Sequence, residues 1–316
     1  MIDPDTERLL RRVNTVGVPD IERIPLAQAR ADTTMMDMMA AVAQGPVPPP
    51  PQVGEVGEIE VATPSGPLTV RLYHPPGGGT PPLLIWMHGG GFVLGSLESA
   101  DPTARELCAG AGVLVASVDY PLAPEHPWPA APEACHAVAA SLVERSPELG
   151  FDPGRVAVGG DSAGGNLAAV TALLAQERGG PNIAYQLLVY PMCDLVGDHP
   201  SMRENSEGFL LSASRIEWFI RSYLPDGADR TDPHISPFYA ADLRGQPPAA
   251  VITAELDPLR DEAEAYAARL SAAGVPTELT RHEGLVHGFL RMGGMSQRAR
   301  EASAQAVASL RAAVQG

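Results

Sequence analysis

Between Arg155 and Asn166 the chain reads Arg155-Val-Ala-Val-Gly-Gly-Asp-Ser-Ala-Gly-Gly-Asn166. An apolar, β-branched run stops at a glycine-flanked serine and resumes as a run of small residues with helical character. That pattern predicts a strand, a tight turn and a helix, with Ser162 on the turn. Gly160 and Gly164, two positions either side of Ser162, let strand and helix cross without a side-chain clash. A glycine-rich turn between any strand and helix of an α/β protein would read the same way, so the rest of the chain has to decide what the serine is for.

Around this segment strands and helices alternate. Glu55 to Ala62 and Leu68 to Tyr73 read as strands joined by a turn at Thr63-Pro-Ser-Gly66, an antiparallel start to a sheet. Strands follow at Leu83 to Met87, Val113 to Val118, Arg155 to Val158, Ile183 to Val189, Ala249 to Thr253 and Thr277 to Arg281. Helices are expected near Thr103 to Ala111, Ala131 to Glu144, after Ser162, near Glu262 to Ala273 and near Gln297 to Val314. Such alternation predicts a mainly parallel, doubly wound sheet. Residues 1–50 read as a helical segment ending in the stiff linker Gln44-Gly-Pro-Val-Pro-Pro-Pro-Pro51, and residues 51–316 as the main domain. From about 195 to 237 the alternation lapses into a polar insertion with one helix near Ala213 to Tyr223, of the kind that covers a site at the carboxyl edge of a sheet.

Composition removes several classes of function. With 38 acidic against 22 basic residues the formal charge is -16, which argues against nucleic acid or an anionic membrane surface as partner. Every basic residue is arginine. The absence of lysine excludes a phosphate-loop lysine, a Schiff-base lysine and a Ser-x-x-Lys dyad. Cys108, Cys135 and Cys193 are odd in number and widely spaced, giving neither a disulfide framework nor a metal site. A charged start without an apolar export run, and no later span-length apolar segment, lead to the expectation of a cytoplasmic protein.

A serine on such a turn becomes a nucleophile only beside a base and oxyanion donors. Of eight histidines, His287 in Gly284-Leu-Val-His-Gly-Phe289 falls on the loop after the last predicted strand, where sites of α/β sheets lie. His282, at the end of that strand between Arg281 and Glu283, is its rival. Asp257, in Glu255-Leu-Asp-Pro-Leu-Arg-Asp261, lies after the strand Ala249 to Thr253 and between serine and histidine, with Glu255 and Asp261 as alternatives. The order Ser162, Asp257, His287 is that of α/β-hydrolases. His88-Gly-Gly-Gly-Phe92 directly follows the strand Leu83 to Met87. Gly89 and Gly90 are the expected N–H donors to an oxyanion, with Ala163 as a third. On this reading Gly90→Val would leave the fold intact and slow ester turnover.

His88-Gly-Gly-Gly91, Gly160-Asp-Ser-Ala-Gly164 and the Asp257/His287 pair together resemble the hormone-sensitive-lipase-like carboxylesterases, the bacterial family IV, in the branch whose turn reads G-D-S-A-G. Tyr120-Pro-Leu-Ala-Pro-Glu125 resembles that family's Y-x-L-A-P-E stretch. The likeness runs from about Val61 to the end of the chain. It implies an α/β-hydrolase fold and a Ser-His-Asp hydrolase of short to medium acyl esters. It further implies a helical cap, no cofactor, and dimers paired through the last strand and helix. Ser162 would be nucleophile, His287 base then acid, and Asp257 its orienter. Asp161, Tyr120 and Glu125 read as scaffolding. In the cap, Thr34-Met-Met-Asp-Met-Met39 offers Met35 and Met39 either to substrate or to ordinary packing, and Phe209-Leu-Leu211 has the same two readings, with Phe209 and Leu210 as substrate contacts.

Overall fold

The computed structural model describes residues 1–16, 21, 23–31, 42 and 49–315. Eight strands form one sheet: β1 (Val56–Thr63), β2 (Gly66–Tyr73), β3 (Leu83–Met87), β4 (Leu114–Val118), β5 (Val156–Asp161), β6 (Tyr185–Val189), β7 (Ala249–Leu256) and β8 (Thr277–Val286). Their spatial order is β1-β2-β4-β3-β5-β6-β7-β8. The pairs β1/β2 and β2/β4 are antiparallel. Every other pair is parallel, as the strand and helix alternation implies. The central strands β3, β4, β5 and β6 are buried along their whole length, which is why they read as unbroken apolar runs rather than alternating ones.

Two cores follow from helices on both faces. One gathers Ile85, Met87, Val158 and the helix Ala163–Glu177. The other gathers Leu84, Trp86, Leu107 and the C-terminal helix Gln297–Gln315. The helix Pro4–Val16 is built into the second: Leu9 is fully buried. Asp3 caps it, accepting from the N–H and hydroxyl of Thr6, while the Asp3 N–H donates to the Gly284 carbonyl.

Two elements run five or six residues beyond the expected limits. The helix Leu97–Ala111 starts six residues before Thr103, because Ser96 and Ser99 cap each other's backbone N–H groups and Pro102 is accommodated within it. Strand β8 passes through His282 to Val286. Gly284, at φ +75°, looks like a breaker in sequence, but a register shift opposite Ala254 and Leu256 absorbs it. The 195–237 insertion also holds a short helix, Pro200–Glu204, beside the expected Ala213–Tyr223. Among the described residues no helix is long and apolar enough to cross a membrane.

Candidate active site

Four chain segments deliver their key residue in the first position after a strand: His88 after β3, Ser162 after β5, Asp257 after β7 and His287 after β8. The parallel sheet brings these carboxyl ends together, so residues up to 199 positions apart meet at one edge. Ser162 sits at φ 58° and ψ −121°, a conformation that L-residues rarely hold. A Cβ on Gly164 would run into the Met87 carbonyl oxygen, and one on Gly160 into Gly164 itself. Only glycine fits the crossing. The Ser162 N–H donates to the Val189 carbonyl at 2.9 Å, tying the turn to β6.

His287 Nε2 lies 2.9 Å from Ser162 Oγ, and His287 Nδ1 lies 2.8 Å from Asp257 Oδ2. A carboxylate only accepts, so Nδ1 carries the proton and Nε2 is left to accept from the serine hydroxyl. Asp257 is fully buried, and its other oxygen accepts from the Leu259 N–H at 2.9 Å. The alternatives are engaged elsewhere. Glu255 accepts from the Gly284 N–H and Asp261 from the Ser201 N–H, while the His282 ring meets Phe289 edge-on at 5.7 Å. The Tyr190 ring leans on His287 with centroids 4.7 Å apart.

The oxyanion assignment changes at one residue. The Gly89 N–H donates to Asp161 Oδ1 at 2.8 Å, so Gly89 is not free to bind substrate. Asp161 thus does anchor a neighbouring loop, as its place beside the nucleophile suggested. No described residue accepts from the N–H of Gly90, Gly91 or Ala163, and Gly90 and Gly91 line the cavity over Ser162. That leaves the third glycine of the run, rather than the first, with an N–H free at the cavity. Gly90→Val would also not leave the loop intact, because Gly90 holds φ +139° and a Cβ there would strike the Leu94 carbonyl.

His88 supports this loop from beneath. It is stacked on Tyr120 at 4.3 Å, and the Tyr120 hydroxyl donates to the His88 carbonyl at 2.7 Å. Burial draws the imidazole from its ordinary 6.5 down to about 4, against the opposing pull of its hydrogen bond to the Gly89 carbonyl and the Asp161 charge. Glu125 accepts a two-pronged pair of hydrogen bonds from Arg30, whose guanidinium also donates to the carbonyls of Val93 and Ala123.

The cavity over Ser162 has a volume of about 280 Å³, and Leu94, Met192, Leu211 and Phe219 supply apolar wall. Leu210 and Leu211 line it and Phe209 does not, although Phe209 and Leu210 both pack against the core that holds the C-terminal helix. Leu211 belongs to the other core, and Leu210 between it and Phe209 holds φ 68°. Met35 and Met39 lie outside the described residues. Ile21 and Ala29, from the N-terminal segment, do reach the cavity wall. Sequence reasoning missed Met192, Phe219, Arg215, Arg291 and Met292, all of which line it. Met192 follows β6 by three residues, a position that the carboxyl-edge rule could have flagged; the others sit on insertion or loop segments without a motif.

A family model described as alpha/beta hydrolase fold matches residues 84–291. The carboxylic ester hydrolase LipN of Mycobacterium tuberculosis is 45% identical over 251 residues, 77% of this chain and 67% of that protein. The carboxylesterase NlhH of the same species is 44% identical over 254 residues, covering 78% and 79%. Among solved structures, an ester hydrolase from the metagenome of Lake Arreo superposes with a TM-score of 0.92 at 37% identity, over 99% of each chain. A thermostable esterase from Pseudomonas putida gives 0.92 at 32% identity, over 100% of this chain and 98% of that one. The sheet order, the strand-end placement of the four segments and these likenesses agree: this chain belongs to the α/β-hydrolase family, among its hormone-sensitive-lipase-like carboxylic ester hydrolases.

Proposed function

We propose that the chain hydrolyses short to medium acyl esters through an acyl-enzyme intermediate on Ser162. The observation that carries this reading is the unbroken relay from Ser162 Oγ through His287 to Asp257, at 2.9 and 2.8 Å, on the wall of a largely apolar cavity. His287 Nε2 takes the hydroxyl proton as Ser162 Oγ attacks the acyl carbon. Asp257 stabilises the resulting imidazolium. The N–H groups of Gly90, Gly91 and Ala163 receive the oxyanion. Collapse of the tetrahedral species expels the alcohol, which takes its proton from His287. Water, deprotonated by the same imidazole, then attacks the acyl-enzyme and releases the acid and free Ser162.

A volume of about 280 Å³ supports small acyl groups, with Leu210 and Leu211 against the acyl chain. Ile21 and Ala29 on the wall support the N-terminal segment and the 195–237 insertion as a cap over residues 51–316. Three free, buried cysteines suit the cytoplasm. Pairing of two copies through β8, last in the sheet and carrying half-exposed Leu279, completes the reading. The test is hydrolysis of p-nitrophenyl esters of increasing chain length by the wild type and Ser162→Ala. Turnover is expected to peak at short chains and to fall on the order of 10⁶-fold in Ser162→Ala. Activity surviving in that variant overturns the mechanism, and a flat profile overturns the small pocket.

A further inference from the structure

Two guanidinium groups, Arg215 and Arg291, line the otherwise mainly apolar cavity that holds Ser162 and His287. A neutral ester needs neither. Arg291 stands four residues after His287, on the short turn Phe289–Met292, and among the described residues no carboxylate pairs with it. Its side of the molecule is exposed, so it can exchange water for a ligand. Its charge nevertheless reaches inward, opposing the burial-driven rise of the Tyr190 and Tyr120 hydroxyls and adding to the fall of His88. Arg215, at the start of the insertion helix Ala213–Tyr223, donates to the Leu210 carbonyl at 3.4 Å, which sets it beside the residue that turns into the cavity.

Neither carboxylate of the site is paired with Arg291. Asp161 lines the same cavity, but its Oδ1 holds the Gly89 N–H, and Asp257 is buried behind His287. In a protein with a formal charge of -16, the overall field does not draw anions in. Arg291 at the cavity therefore acts locally, and a guanidinium is matched to carboxylate in charge and shape.

Building on the esterase reading, we propose that the preferred substrates are esters that themselves carry a carboxylate, such as half-esters of dicarboxylic acids or acylated hydroxy acids, with Arg291 as the specificity residue. Hydrolysis is unchanged in kind: the acyl–oxygen bond breaks, water supplies the oxygen and hydrogens, and the free carboxylate takes no part.

The experiment compares kcat/KM within two matched pairs. Monoethyl adipate against its ω-amide puts the charge on the acyl side. 4-Acetoxybenzoate against 4-acetoxybenzamide puts it on the alcohol side. The wild type is expected to favour the carboxylate by about tenfold or more in one pair, which also identifies the side, and the preference should shrink toward unity in 1 M NaCl. Arg291→Gln should lower that ratio about tenfold, and Arg291→Glu should turn it toward an ester bearing trimethylammonium. A merely structural arginine would lower all substrates together and leave the ratio and its salt dependence in place. Wild-type ratios at or below one in both pairs, or a ratio untouched in Arg291→Gln, overturn the proposal. Failure to hydrolyse any of the four esters would instead count against the esterase reading itself.

Discussion

The two glycine runs that flank the site, Gly159 to Gly165 and Gly89 to Gly91, look alike in sequence and differ in what their backbone does. In the turn around Ser162, Gly160 and Gly164 provide room: they are where strand and helix cross, and a side chain at either would meet backbone. In the loop after β3, Gly90 and Gly91 provide backbone conformation, at φ +139° and +62°, and so present N–H groups to the cavity. The turn is held by backbone bonds to β6 and the residues after it, Ser162 N–H to the Val189 carbonyl and Met192 N–H to the Ser162 carbonyl. The loop is held from outside, by Asp161 on the Gly89 N–H, by Tyr120 on the His88 carbonyl and by Arg30 on the Val93 carbonyl. Neither run leaves room for a side chain, but only the loop's Gly90 and Gly91 hold positive φ as well.

The largest effect should come from filling the space. Gly164→Ala puts a Cβ against the carbonyl oxygens of Met87 and His88, and rigid backbone cannot yield as a side chain can. We expect a loss of about 3 kcal/mol or more, read as a lower urea midpoint. Near wild-type stability would mean that the two runs are not so different.

Next comes the support beneath the loop. Folded His88 resists protonation until about pH 4, whereas the unfolded chain takes up its proton near 6.5. The unfolded state therefore binds more protons between these values, and the stability present above pH 6.5 is lost as pH falls toward 4. The loss amounts to about 3 kcal/mol at most. Urea titrations across this window should show that slope in the wild type and a shallower one in His88→Gln. An unchanged slope would remove His88 from the account.

The smallest effect sharpens the donor side. Asp161→Ala leaves the Gly89 N–H without its acceptor and frees the loop to shift, and kcat/KM should fall about ten- to a hundredfold, equivalent to the ~1–3 kcal/mol of an unmet buried group. Asp161→Asn, which keeps an acceptor oxygen, should recover most of it. If the alanine variant matches wild type, the loop holds itself without Asp161.

Much of the architecture was legible because central strands of a parallel sheet are buried on both faces and so appear as short apolar runs. The strand Leu83–Met87 and the helix Ala213–Tyr223 match the expected limits to the residue. Misreadings arose where a local breaker was overruled by packing. Pro102 lies inside a helix capped further upstream, and Gly284 inside a strand whose bulge accepts it. Phe209 and Leu210, paired in sequence by hydropathy, pack against the same core, yet only Leu210 also lines the cavity.

Ser162, Asp257 and His287 could be named from residue order and strand-end position alone, because a parallel sheet gathers its carboxyl ends whatever the loops contain. Which glycine N–H is free, which side chains close the cavity and that two arginines stand in it were decided only by the tertiary structure. Those properties depend on the orientation of single peptide groups and on contacts across long sequence separations, such as Gly89 with Asp161 or Gly91 with Phe219. No periodicity or motif encodes them; they exist only once the chain has packed.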